Sequence, residues 1–343
     1  MSSKQETGSS AALLGVPVID IGALMACEDD AQVEATLQGS DGVFKATIAA
    51  LRAAATEWGF FYIANHGVTP EELEAFRNNM RAFFKLRKEI KNRLRRTAEN
   101  SRGYFDDELT KNKTDWKEGL DFAGRQEDGP PDDAVYQRIG KDQNQWLDDE
   151  ALPGFKKSMT EYFDHMEHIS RRLLMLFAVA LGEKVNFFDQ FFHSNGGDVS
   201  KGDVAKDNNS SFLRLNHYPV APEPEKTMGV YHHTDAGALT VLLQDDDVAS
   251  LQVFHRETEQ WHLIPPREGT FVINIGDMAQ IWSNDKFMAP LHRPVIVDAS
   301  EKPKYKPLSW RHFRSQRFAG DYANVGEEIQ ISHYKISQDA AQE

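Results

Sequence analysis

Tyr231-His232-His233-Thr234-Asp235-Ala236-Gly237-Ala238-Leu239-Thr240-Val241-Leu242-Leu243-Gln244 sets a His-x-Asp pair at the mouth of an apolar, β-branched run, the composition of a strand. On an extended chain residues i and i+2 share a face, so His233 and Asp235 point to one side while His232 and Thr234 point away. One imidazole and one carboxylate can then meet the same ion. A third ligand has to come from elsewhere. The sequence offers His292, in Pro290-Leu291-His292-Arg293, after a second apolar run at Thr270-Phe271-Val272-Ile273-Asn274-Ile275. Two histidines and one carboxylate on one face of an octahedron leave three positions open, the arrangement of non-haem Fe(II) sites.

Around this stretch, short strands are predicted at 212–218, 238–244, 251–254, 261–264, 270–275 and 289–297, with turn signals between them. That is the pattern of a β-sandwich or jelly roll, preceded by helices that pack outside it. Upstream, 16–21 reads as a short strand at a sheet edge, 42–58 as a helix capped by Gly59, and 60–63 as a strand. Thr69-Pro70-Glu71-Glu72 carries a capping residue, a first-turn proline and an N3 glutamate, which announce another helix. The longest helix is expected over 155–181, stopped by Gly182. Trp116, Leu120 and Phe122 alternate with charges as at a hairpin edge, and 129–133 is a loop. The basic stretch 85–96 contains Glu89 and no interleaved aromatics, so it reads as a solvated helix end. The segment 194–211, rich in Gly, Asp, Asn and Ser, is a candidate lid. His66, His217, His232, His255 and His262 are expected at the surface or behind the ligands, and Asp245-Asp246-Asp247 in a solvated turn.

The expected class is mixed α/β with a mainly β core. Residues 1–15 are expected to be disordered, 16–182 to form a helical N-terminal region with edge strands, and 183–343 a jelly-roll catalytic core ending in a helix, together one compact unit. With 343 residues, 40% of them hydrophobic, the chain can bury a large core. A net charge of -14 repels phosphate backbones and argues against nucleic acid. The single cysteine, Cys27, forms no internal disulfide and fits a reducing, cytoplasmic setting. The apolar run 173–181 is too short to span a bilayer, and the polar N-terminus has no export pattern. Neither a membrane nor an obligate protein partner is expected.

Further motifs occur in a fixed order: Val16-Pro17-Val18-Ile19-Asp20, Trp58-Gly59-Phe60-Phe61-Tyr62-Ile63-Ala64-Asn65-His66-Gly67-Val68, Asp115-Trp116-Lys117-Glu118, Arg214-Leu215-Asn216-His217-Tyr218-Pro219, Asn274-Ile275-Gly276-Asp277, and Trp282-Ser283-Asn284-Asp285 ahead of Leu291-His292-Arg293. Together with the His-x-Asp stretch they resemble the isopenicillin N synthase-like family of Fe(II)- and 2-oxoglutarate-dependent dioxygenases, over most of the chain. The resemblance implies a double-stranded β-helix (jelly roll) flanked by N-terminal and C-terminal helices. It implies Fe(II) held by His233, Asp235 and His292, with 2-oxoglutarate as cosubstrate and O2 as oxidant. It places Asn216 and Tyr218 beside the cosubstrate. The implied activity is hydroxylation, desaturation or cyclisation of a small molecule, with Tyr104, Phe122 and Trp282 as candidates for the substrate pocket.

One departure concerns the cosubstrate. The family follows its distal histidine with an Arg-x-Ser strand that grips the far carboxylate of 2-oxoglutarate. No such triplet follows His292. Either Lys306 replaces the arginine on a retained strand, or the strand is deleted and Ser309 already caps a C-terminal helix holding Trp310, Phe313 and Phe318. The rival functions are a metal-binding jelly-roll protein with impaired 2-oxoglutarate binding and a zinc hydrolase. The second lacks a His-Glu pair of the metalloprotease type beside the ligands.

Overall fold

The computed structural model describes residues 15–38, 44–98, 100–110, 113–123, 143–189, 211–219, 232–245 and 250–294. The first half contains β1 (Val18–Asp20), α1 (Gly22–Met25), α2 (Asp30–Gln38), α3 (Lys45–Glu57), β2 (Phe60–Ala64), α4 (Pro70–Lys85), α5 (Lys88–Lys91), β3 (Gly103–Phe105), β4 (Leu109–Thr110), β5 (Lys113–Thr114) and β6 (Glu118–Ala123). The second contains α6 (Phe155–Leu181), β7 (Phe212–His217), β8 (Leu239–Leu242), β9 (Leu251–His255), β10 (Gln260–Ile264), β11 (Thr270–Ile275), α7 (Asp277–Trp282) and β12 (His292–Pro294). The architecture is mixed α/β. The candidate lid at 194–211 (all but Ser211), the loop at 129–133, Lys306, the expected C-terminal helix and residues 1–14 lie outside the described residues.

Local signals set several boundaries as expected. At the start of α4, Thr69 Oγ1 accepts from the Glu72 N–H (3.2 Å) while Glu72 Oε2 accepts from the Thr69 N–H (2.8 Å), a reciprocal capping box. α6 ends at Gly182, as its apolar periodicity predicts. Gly59, at φ 63°, closes α3, and a Cβ there would stand 2.1 Å from Met288 O, so only glycine lets the chain turn directly into β2.

One sheet has the order β1-β2-β11-β8, with β1 at its edge and parallel to β2. A second runs β10-β9-β12, a third β3-β6-β7, and β4 pairs with β5. Strands from the first 123 residues thus pair with strands beyond residue 211. Alternation divides the first sheet between two cores. Phe61, Ile63, Phe271, Ile273 and Ile275 join the large core with α3, α4 and α6. Phe60, Tyr62 and Val272 join a smaller core with Leu251, Val253 and Ile264 of the second sheet. Burial on both faces explains the unbroken apolar reading of Phe60-Phe61-Tyr62-Ile63.

Several expectations are corrected. β6 is the central strand of its sheet, not a hairpin edge, because its charged residues are matched across the register: Glu118 faces His217 and Asp121 faces Arg214. The basic stretch is not simply solvated. Lys91 is buried, donating to Phe84 O (3.0 Å) and Glu118 (2.5 Å), while Arg95 pairs with Asp106 and Asp107. Of the histidines expected at the surface or behind the ligands, His66, His232 and His255 are buried; Asp245 pairs with Arg77 and Arg81 of α4 instead of standing in water, while Asp246 and Asp247 lie outside the described residues. α1, α2 and α7 leave no signal in the sequence pattern, because helices of 4, 9 and 6 residues are too short for a periodic one.

Glu118 also receives Tyr104 Oη (2.8 Å) and contacts His217 Nδ1 (2.8 Å). Burial alone would raise its pKa, but these bonds and the Lys91 ammonium hold it down to about 2. A carboxylate depressed from 4.5 contributes stability above pH 4.5 that is lost as pH falls towards 2. Acid unfolding of the protein should therefore show a component in that window, worth ~3 kcal/mol, that Glu118→Gln removes. An identical stability profile for the variant between those pH values would exclude this.

Candidate metal centre

The face of β11 that carries Val272 into the space between the first two sheets also carries Asn274, two residues on and fully buried. His292 opens β12 opposite Val253, on the far wall of that space. His233 pairs with His292 by a reciprocal backbone bridge, N–H to O 2.9 Å one way and 2.8 Å the other, which sets the two imidazoles side by side at 4.1 Å between ring centroids. Asp235 follows, and its Oδ1 lies 3.7 Å from Nε2 of each histidine. All three side chains are buried, and their ligand atoms lie within 4.8 Å of one another. The structure thus brings together the three residues that the sequence singled out as ligands.

Hydrogen bonds decide what this cluster can hold. The carbonyl of Pro290 only accepts, so its 2.8 Å contact with His292 Nδ1 places the ring proton there. Nε2 then presents a lone pair toward Asp235 Oδ1 when the ring is neutral, the form in which histidine ligates a metal. A lone pair facing a buried carboxylate is repulsive unless a cation lies between them. Two imidazole nitrogens and one carboxylate oxygen suit a divalent transition metal. A second cluster, Glu57, His255 and Glu257, behaves differently. There the Thr258 N–H donates to His255 Nδ1 (3.3 Å), which puts the ring proton on Nε2, facing Glu57 at 3.8 Å. Proton donor thus faces carboxylate there, and both glutamates are exposed, unlike the three buried groups of the first cluster.

The other oxygen of Asp235 is engaged as well. Oδ2 accepts from Asn274 Nδ2 (2.8 Å) and from the Thr240 hydroxyl. Neither residue is marked as functional by local pattern, although a single asparagine in the apolar run of β11 is a signal for a role. The backbone behind the aspartate is clasped too: Asp277 N–H donates to Asp235 O (2.6 Å) and Gly276 N–H to Ala238 O (2.9 Å). A Cβ on Gly276 would stand 2.0 Å from Gly237 O and 2.9 Å from Asp235 O. Gly276→Ala must therefore displace the loop carrying the carboxylate, and a Co(II) titration should show affinity lowered ~10- to 100-fold. Unchanged affinity would mean the loop can yield without moving Asp235. Asp277 itself has a raised pKa, mainly from burial, with the neighbouring Asp235 carboxylate adding to it.

The remaining candidates are dispersed. Asn216 lies on β7 opposite Gly119, and Tyr218 follows the strand. By alternation Asn216 shares a face with Arg214. Arg214 is bound by Asp121 (2.5 and 2.7 Å) and Glu108 (3.1 Å), and it lies over the Phe105 ring with Arg96 and Lys117. Glu108, which burial would raise, is held well below the usual carboxylate range by Arg214, Lys117 and Arg96. Tyr104 and Phe122, expected at a pocket wall, are each 1% exposed and packed in the large core. The Tyr104 hydroxyl is spent on Glu118, and the Phe122 ring packs 5.0 Å from Trp146. Trp282 ends α7, 5.9 Å from Phe188. Among the described residues no helix is long and apolar enough to cross a membrane.

Comparison with known proteins is consistent along the chain. A family model described as the 2OG-Fe(II) oxygenase superfamily matches residues 209–313, and one described as non-haem dioxygenase in morphine synthesis N-terminal matches 16–149. Homoarginine-6-hydroxylase 2-ODD-233 of Oryza sativa subsp. japonica is 31% identical over 298 residues, 85% of this chain and 83% of that protein. Jasmonate-induced oxygenase 1 of Arabidopsis thaliana is 29% identical over 84% of this chain, which spans only 62% of that relative's length. Among solved structures, full-length Neurospora crassa T7H in complex with alpha-KG and 5-formyluracil superposes with a TM-score of 0.63 at 28% identity, over 85% of this chain and 80% of that one. JOX2 in complex with 2OG, Fe and JA gives 0.60 at 27%, over 83% and 71%.

Proposed function

Since this chain belongs to the 2OG-Fe(II) oxygenase superfamily, we propose that it oxidises a small organic molecule with Fe(II), 2-oxoglutarate and O2, releasing succinate and CO2. The observation that carries this reading is the convergence of His233, Asp235 and His292 with the His292 lone pair turned to the carboxylate. These three residues would hold the iron, which when bound supplies the oxidising power for attack on an unactivated C–H bond. The protein's own contribution is positional. The His233–His292 bridge fixes two ligands, and the Gly276 clasp fixes the loop of the third. The two sheets facing the small core are taken as the walls of a double-stranded β-helix, with the helices outside it. Asn216 and Tyr218 are proposed beside the cosubstrate, and Trp282 beside the substrate.

Anaerobic titration of the Fe(II)-loaded protein with 2-oxoglutarate tests the reading. A weak visible charge-transfer band, saturating with the cosubstrate, is expected. Its absence with stoichiometric iron bound would favour a metal-binding protein without oxidative chemistry, and turnover with Zn(II) alone would favour a hydrolase.

A further inference from the structure

The register of the first sheet sets Thr240 of β8 directly opposite Asn274 of β11. Both side chains bond the same atom, Asp235 Oδ2, from neighbouring strands. We infer that this cross-strand pair is a positioning device that keeps Asp235 a one-oxygen ligand, so that a coordination position remains for the cosubstrate. The inference rests on the proposed iron site.

A carboxylate can bind a metal through one oxygen or two. A second contact would require Oδ2 to turn toward the ion and leave both donors. One is an amide and the other a hydroxyl, each bonded to an ionised oxygen, the stronger kind of hydrogen bond. Asn274 is fully buried and Asp235 nearly so, so loss of the amide leaves Oδ2 short of a donor in a dry place, whereas Thr240 is half-buried. Oδ1 is the oxygen turned to both imidazoles, at 3.7 Å from each Nε2. The pair therefore governs which oxygen is offered and also how many. A triad with a two-oxygen carboxylate would still bind metal, even more tightly, but it would occupy a position that a bidentate 2-oxo acid needs.

The test separates metal affinity from cosubstrate affinity. Thr240→Val removes the hydroxyl and keeps the shape, Asn274→Leu removes the amide, and Thr240→Ser restores a donor. Mn(II) binding is followed by electron paramagnetic resonance, and 2-oxoglutarate binding by the anaerobic Fe(II) chelate band at saturating iron. Both removals should leave Mn(II) affinity unchanged or higher while weakening 2-oxoglutarate ~10-fold or more, with Thr240→Ser close to the parent. Weaker Mn(II) binding with unchanged 2-oxoglutarate affinity would overturn the inference, as would no change in either. Loss of fold in both variants, read from circular dichroism, would also overturn it by making the pair structural. If the parent takes up no Mn(II), the iron site falls and the inference with it; uptake without an effect of the variants overturns the inference alone.

Discussion

Alanine at His233, Asp235 or His292 is expected to lower metal affinity ~1000-fold or more, about 4 kcal/mol, and to abolish metal-dependent turnover. Each change removes one of three donors from a centre whose remaining two cannot enclose an ion. The fold should survive. The backbone bridge between His233 and His292 does not depend on their side chains, and the small core is built from Trp58, Phe60, Tyr62, Leu251, Val253, Ile264 and Val272. Iron content after dialysis and the thermal midpoint separate the two effects. Full activity with stoichiometric iron in any one variant would sink the ligand assignment. Asp235→Glu should also be poor, because Thr240 and Asn274 hold the carboxylate where an aspartate places it, and one added methylene moves it out of reach.

The second large effect concerns Lys306, outside the described residues, where the family's arginine is missing from the sequence. If Lys306 pairs with the far carboxylate of 2-oxoglutarate, Lys306→Ala should weaken cosubstrate binding by roughly 2 to 3 kcal/mol, tens to hundreds of times in affinity. Lys306→Arg should be tolerated or better, since a guanidinium adds a bidentate grip. If the strand is deleted, neither change matters, and 2-oxoglutarate binding is already weak in the unmodified protein. Isothermal titration at fixed Fe(II) distinguishes the cases. Tight binding that survives Lys306→Ala would exclude the lysine and turn the search to Lys304, Arg311, Arg314 and Arg317.

The sequence by itself determined the elements whose causes are local. α6 ends where its apolar repeat ends at Gly182, α4 starts at its capping box, and β11 spans the predicted 270–275. It also singled out His233, Asp235 and His292 as candidate ligands by residue type, although Asp235 lies in the loop ahead of β8 and not on the extended strand that the i, i+2 argument assumes. Tertiary structure decided the rest. The meeting of His292 with His233 is a contact between chain segments 59 residues apart, created by a backbone bridge that no local pattern encodes. The same is true of β6, whose alternation of charges looks like an exposed edge until His217 and Arg214 are paired across from Glu118 and Asp121. Thr240 and Asn274 show the difference most plainly. Read alone, one is a strand threonine and the other an oddity in an apolar run. The β8–β11 register makes them neighbours on one oxygen, and because strand side chains alternate with a period of two, a slip of one residue between the strands would put the two on opposite faces.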